Sequence, residues 1–292
     1  MDWREIAWNG VRCEIPDSWE VVKIGLRYLM FAEKSAPMME IKWGQIRGKF
    51  SHHSQLRRLA MQQRKKFGKT LKEIPLPPEW RTPLSEFISV AFSWHSQTIS
   101  GSGAVLYCPT CKTATLMQFF QKHSAHSTAL VQHILGSFQD HSRDNRVIWA
   151  LFDIRALIPA EFDLIKYRFD AGQYELIFSY KKQKITLWRW VPASVLLHKQ
   201  NLEEFAHRVT RFALKKTVAP VRADPDWVEW EVLPSTPWWS RWRSRRLLGH
   251  APTYYRFWHL REKNRIFGVK IEGKQAIDSE FVNSICAGYG SV

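Results

Sequence analysis

The chain has 292 residues, 45% of them hydrophobic and 24% charged, a composition that fits folded domains and excludes an intrinsically disordered chain. Its net charge of +16 favours contact with phosphate, anionic lipid or an acidic protein. No stretch approaches the ~20 apolar residues of a membrane helix, the opening Met1-Asp2-Trp3-Arg4-Glu5 has no leader pattern, and four scattered cysteines argue against a disulfide framework, so a cytoplasmic protein with reduced thiols is expected.

The pattern begins with strands. Ile6 and Trp8, then Val11, Cys13 and Ile15, alternate with polar neighbours around a turn at Asn9-Gly10. After Ile15-Pro16, residues 19–24 and 28–31 read as strands, Pro37 breaks the run, and 39–46 is extended again, with Ile41 and Trp43 on one face. Between 54 and 67 the period changes: Leu56, Leu59, Ala60, Gln63 and Phe67 recur at helical spacing, with Ser51 or Ser54 as N-cap. Pro75, Pro77 and Pro78 end that element. Residues 87–94, 104–107 and 113–120 then read as strands, and 127–138 as a helix with Leu130, Val131, Ile134, Leu135 and Phe138 inward.

A short polar linker at 141–146 follows, and the programme restarts. One strand over 147–158 ends in Ile158-Pro159, answering Ile15-Pro16, and Phe162 answers Trp19. Residues 174–180 match 28–31, and Trp188-Arg189-Trp190 lies on Ile41-Lys42-Trp43. Leu202, Phe205 and Ala206 stand where Leu56, Leu59 and Ala60 stood. Strands over 227–232, 254–260 and 265–271 lead to a last helix capped by Asp278. The same elements recurring at a domain-sized offset predict two tandem copies, over 1–143 and 144–292, of an α+β domain: an antiparallel sheet with covering helices.

A strand ending in Ile-Pro, an aromatic (Trp19, Phe162) and a further strand resemble the opening of the PsbP-like superfamily. The resemblance implies an antiparallel sheet covered by helices. It implies no activity, because members share no single reaction and no catalytic residues.

Three stretches could carry chemistry. Cys108-Pro109-Thr110-Cys111 places two thiols on a turn. Such a pair can clasp half of a tetrahedral zinc site, with Cys13, His95, His123 or His126 supplying the rest. Alternatively it forms a thiol-redox pair like that of glutaredoxins, although the β-branched run after it favours a strand over the helix such a site needs. As plain structure it is a hairpin turn. No cofactor is expected, zinc at this turn being the alternative.

The second stretch interleaves Trp238, Trp239 and Trp242 with Arg241, Arg243, Arg245 and Arg246, suiting an anionic partner through guanidinium forks and indole stacking, or else indoles folded onto the sheet under solvated arginines. The third is the first helix with its flanks. From 47 to 72 there are nine Lys or Arg, among them Arg57, Arg58, Arg64 and Lys65, and no acid. Arg208, Arg211, Lys215 and Lys216 follow the equivalent helix. A basic helix face is ordinarily just solvated; two of them could form one binding surface. No phosphate loop, nucleophile elbow or acid–base carboxylate pair is present, so a non-enzymatic binding or adaptor protein is expected, its partner an anionic macromolecule (nucleic acid included) or another protein.

Overall fold

A computed structural model describes residues 1–67, 70–96, 98–121, 126–142, 144–210, 219–233, 251–274 and 276–292, with only the backbone of 62–67 and 70. It divides into two compact units, Met1–Asp153 and Ile154–Val292.

The first unit holds β1 (Trp3–Trp8), β2 (Val11–Pro16), β3 (Glu20–Gly25), β4 (Tyr28–Glu33), β5 (Ala36–Gln45), α1 (His52–Phe67), β6 (Thr70–Ile74), α2 (Pro78–Arg81), β7 (Ile88–His95), β8 (Ser100–Tyr107), β9 (Thr113–Gln121), α3 (Thr128–Ser137) and β10 (Arg146–Leu151). The second holds β11 (Ile154–Pro159), β12 (Asp163–Asp170), β13 (Gln173–Tyr180), β14 (Gln183–Trp190), α4 (Ala193–Leu196), α5 (Leu202–Thr210), β15 (Arg222–Asp224), β16 (Trp227–Val232), β17 (Thr253–Leu260), β18 (Arg265–Glu272), α6 (Ser279–Ala287) and β19 (Gly290–Ser291).

Each unit is dominated by one seven-stranded antiparallel sheet. The first runs β3-β4-β5-β9-β8-β7-β6 and the second β12-β13-β14-β18-β17-β16-β15, the same path in both. In the first unit β1 also pairs with β2 and, through Ala7↔Ala150, with β10. That pairing keeps β10 with the first unit, so the division falls beyond residue 143. In the second unit β11 pairs with β19.

The expected α+β class is corrected. Among the described residues strands make up 51% and helices 20%, a mostly antiparallel-β, sandwich-like architecture rather than a sheet covered by helices. Long alternating or β-branched runs such as Thr113–Gln121 and Gln183–Trp190 take the pleat, whereas α2 and α4 are single turns. The expected single strand over 147–158 is two strands, because Phe152 adopts a left-handed conformation (φ 56) and turns the chain. Pro37 does not end a strand. It lies near the start of β5, opposite Ala32 and beside a register shift, where a missing N–H is tolerated.

The caps explain where helices begin. Ser51 Oγ accepts from Ser54 N–H (3.3 Å), Ser127 Oγ from Leu130 N–H (3.3 Å), and Asp278 from Glu280 N–H (3.2 Å). The Ile-Pro segments are architecture in both units. Trp19 N–H bonds Pro16 O and Phe162 N–H bonds Pro159 O, each at 3.0 Å, tucking Trp19 and Phe162 into the cores. Edge strands β3 and β12 each carry a bulge, between Val21 and Lys23 and between Leu164 and Lys166, leaving Val22 and Ile165 exposed.

The helix-bearing faces differ. In the first unit Leu56 of α1 packs on Phe92, Trp94, Val105 and Phe120, and the same face carries a polar group. Buried Glu40 accepts from Lys42 Nζ (2.6 Å), Tyr28 OH (3.2 Å) and Gln118 Nε2, and Gln118 accepts from Trp94 Nε1 (3.0 Å). In the second unit Phe205 of α5 packs on Trp190, Trp230 and Phe257, with Trp188 against them. The expected matching of Trp188-Arg189-Trp190 to 41–43 is therefore off by one residue. Trp43 N–H bonds Arg27 O as Val191 N–H bonds Gly172 O, so Trp190 stands at the place of Lys42. Trp43 looks to the opposite face, its indole N–H on Asn9 O (3.1 Å). A one-residue slip exchanges the two faces of a strand.

Candidate functional site

The β8–β9 turn brings Cys108 and Cys111 together. Cys108 N–H bonds Thr113 O (2.9 Å) and Lys112 N–H bonds Cys108 O (3.0 Å), with Lys112 left-handed (φ 59) to close the turn. Against it lies the segment that follows α3. Gln139 is clamped to β2 by paired backbone bonds with Arg12, each 2.8 Å, and this presents Asp140 and His141 to the thiols.

Ligand-capable atoms of Cys108, Cys111, Asp140 and His141 all lie within 4.8 Å of one another. Cys111 Sγ donates to Asp140 Oδ2 (3.1 Å), His141 Nδ1 bonds Asp140 Oδ1 (2.7 Å), and Cys108 Sγ is 3.8 Å from His141 Nδ1. Cys108 and Asp140 are buried, at 4% and 6% exposure, while Cys111 and His141 are partly open. The Cys111 thiol is pushed up to about 12, by burial first and also by the Asp140 carboxylate, against bonds from Thr113 that pull it down. Without a cation at the corner it stays protonated. No helix follows the pair; Thr113–Gln121 is β9, so the helix N-terminus that activates a redox thiol is missing there.

Of the expected partners of the cysteines, Cys13, His95 and His126 are elsewhere. Cys13 is buried in β2 and its thiol is pushed up to about 12 by burial and Glu14. His95 ends β7. His126 binds Phe120 O (2.8 Å) beside Trp19, and His123 lies outside the described residues. In the sequence His141 is only the first residue of the polar linker, and Asp140 just before it carries no signal. Finding them needed the knowledge that the β8–β9 turn meets the segment after α3.

A second feature is a cleft of about 360 Å³ between α1 and the β5, β8 and β9 strands. Lys42, Gln45, Gln55 and Arg58 supply its polar lining and Leu59, Val105 and Leu116 its apolar lining, with no carboxylate. Arg57 and Arg58 are exposed, as are Arg47 and Lys49 just before the helix. The side chains of Arg64 and Lys65 lie outside the described residues, as do Arg211, Lys215, Lys216, Trp238, Trp239, Arg241, Trp242, Arg243, Arg245 and Arg246. Arg208 is exposed, its guanidinium 5.4 Å from the Phe205 ring. No described helix is long and apolar enough to cross a membrane.

No protein-family profile and no curated protein matches the sequence. Solved structures to which the chain is similar include the Mog1/PsbP-like fold of the Saccharomyces cerevisiae Ran-binding protein Mog1p, at 6% identity and a TM-score of 0.35, over 48% of this chain and 96% of that one. Another is the type VI secretion immunity protein TplEi of Pseudomonas aeruginosa, at 13% identity and a TM-score of 0.33, over 100% of this chain and 97% of that one.

Proposed function

We propose that the chain is a non-enzymatic binding protein, a duplicated antiparallel domain whose first copy receives an acidic protein segment in the cleft beside α1. Duplication is supported by the identical sheet orders, by bulges at Val22 and Ile165, and by left-handed residues at Asn9 and Phe152 and at Lys112 and Asn264. The observation that carries the binding proposal is the replacement at one position. Where the second unit buries Trp190 at 4% exposure, the first has Lys42, and a cationic cleft opens there instead of a filled core.

A carboxylate-rich segment suits that cleft. Arg58 lines the cleft, and exposed Arg57, Arg47 and Lys49 share with it a stretch of sequence without an acid, so an incoming carboxylate gains charge-assisted bonds without displacing a buried partner. The Trp-Arg segment around Arg241 adds further cationic side chains by sequence alone.

Titration of an acidic peptide into the protein at low salt, followed calorimetrically, tests this. Binding should weaken with added salt, and Arg57→Glu with Arg58→Glu should weaken it at least tenfold (about 1.4 kcal/mol) while melting stays unchanged. Single-stranded DNA and anionic vesicles run in parallel. Preference for either over the peptide, or no binding by the parent protein, overturns the proposal.

A further inference from the structure

We infer that Cys108, Cys111, Asp140 and His141 form a structural zinc site that ties the β8–β9 turn to the segment after α3. It stands independently of the cleft and its partner.

The geometry is close to what the ion needs. Zinc binds thiolate sulfur at about 2.3 Å and imidazole nitrogen or carboxylate oxygen at about 2.0–2.2 Å, so the edges of its tetrahedron run roughly 3.3–3.8 Å. The three measured separations, 3.8, 3.1 and 2.7 Å, bracket that range, and the four donors span no more than 4.8 Å. Shifts of under about 1 Å, within reach of side-chain torsions, complete the site. The two backbone stretches need not move, because each is fixed by its own hydrogen bonds: Cys108 to Thr113 and Arg12 to Gln139.

The donor set selects the metal. Two soft thiolates with an imidazole and one carboxylate suit zinc, whereas calcium and magnesium need an oxygen cage, iron–sulfur clusters need mostly thiolates, and copper(I) rejects the carboxylate. Four protein donors fill the tetrahedron and leave no open position for a substrate, so the role is structural. Binding releases the two thiol protons to solvent, while Asp140 and His141 offer lone pairs.

The second unit shows what the corner is for. Asn264 (φ 52) is the left-handed counterpart of Lys112: Lys112 O accepts from Ile46 N–H, and Asn264 O accepts from Ala193 N–H. Just before it, in the turn that answers the β8–β9 turn, Lys263 sends its ammonium to the oxygens of Val292 (2.7 Å) and Ser291 (3.5 Å), which follow α6 as His141 and Asp140 follow α3. The same two chain segments are thus joined by a cation in the second unit, and zinc supplies that cation in the first.

The full chain, stripped with chelator and reloaded with zinc sulfate, should hold about one zinc per chain by elemental analysis. Cobalt(II) in its place should give thiolate-to-metal charge-transfer absorption and the intense ligand-field bands of a tetrahedral site. Cys111→Ser and His141→Asn should each weaken zinc at least about hundredfold, and Cys108→Ser with Cys111→Ser should abolish the charge-transfer band. Zinc well below one per chain in the reloaded parent overturns the proposal. So does a cobalt spectrum without thiolate bands, a measurement that does not depend on any variant folding. Full-affinity zinc binding that survives the double cysteine substitution places the metal elsewhere and overturns it too.

Discussion

Two sheets with the same strand order carry one helix-bearing face each, and the faces are filled by different chemistry. On the second, Trp190, Phe205, Trp230 and Phe257 interlock, with Trp188 at their margin. On the first, Lys42 and Glu40 occupy the strand positions that the two tryptophans hold, and Glu40 is satisfied by Gln118, Tyr28 and Lys42. The path of a sheet is therefore compatible with either an aromatic core or a polar network beside an open cleft. What decides is volume: an indole closes the space under a helix, and a lysine whose head turns to a neighbouring carboxylate does not.

The largest test of this contrast removes the indole. Trp190→Ala should cost about 3–5 kcal/mol in urea unfolding, since it empties a packed site, whereas Lys42→Ala in the first unit should cost under about 1 kcal/mol. Equal losses would break the distinction. Next comes the glycine that each face uses to admit an aromatic ring. A Cβ on Gly103 would lie 2.2 Å from Met117 O, an immovable backbone atom, and one on Gly268 would lie 2.9 Å from the Phe257 ring. Gly103→Ala should therefore destabilise more than Gly268→Ala, both within about 1–3 kcal/mol.

Removing Glu40 should be milder but still measurable. Glu40→Ala strands the Gln118 amide and should cost about 1–3 kcal/mol, with Glu40→Gln recovering part of it. The same network sets a pH limit. Burial, then the Glu40 carboxylate, pushes the Tyr28 phenol up to about 12 from the ordinary value near 10. A raised value favours the neutral phenol in the folded chain, so its contribution is full below pH 10 and is lost as pH rises through about 12. Spectrophotometric titration should show a late phenol that Tyr28→Phe deletes. The smallest effect belongs to the second unit's corner: Lys263→Met should change stability by under about 1 kcal/mol, because its ammonium is exposed.

Much of the β pattern was legible because alternation is local. Ile6, Trp8, Val11, Cys13 and Ile15 gave β1 and β2 directly, and Ser127 and Asp278 marked helix starts. Two short strands, Thr70–Ile74 and Arg222–Asp224, were missed because neither carries an apolar alternation. Facing was harder. Trp43 and Trp190 look alike in sequence, yet they lie on opposite sides, because a single residue of slip is invisible to composition and decisive in a pleat. The metal corner was half legible. The cysteines advertised themselves three residues apart in a turn, but Asp140 and His141 are distant in the chain and carry no spacing signal.

The bulges at Val22 and Ile165 have a consequence for behaviour in concentrated solution. Among the described residues, each seven-stranded sheet ends in a strand whose outer edge faces no further strand of its sheet. Displacing one residue there, with Lys23 and Lys166 beside it, breaks the regular spacing that stacking into fibres requires. Deleting Val22 or Ile165 would straighten that border, and the chain's resistance to clumping should fall before its melting temperature does.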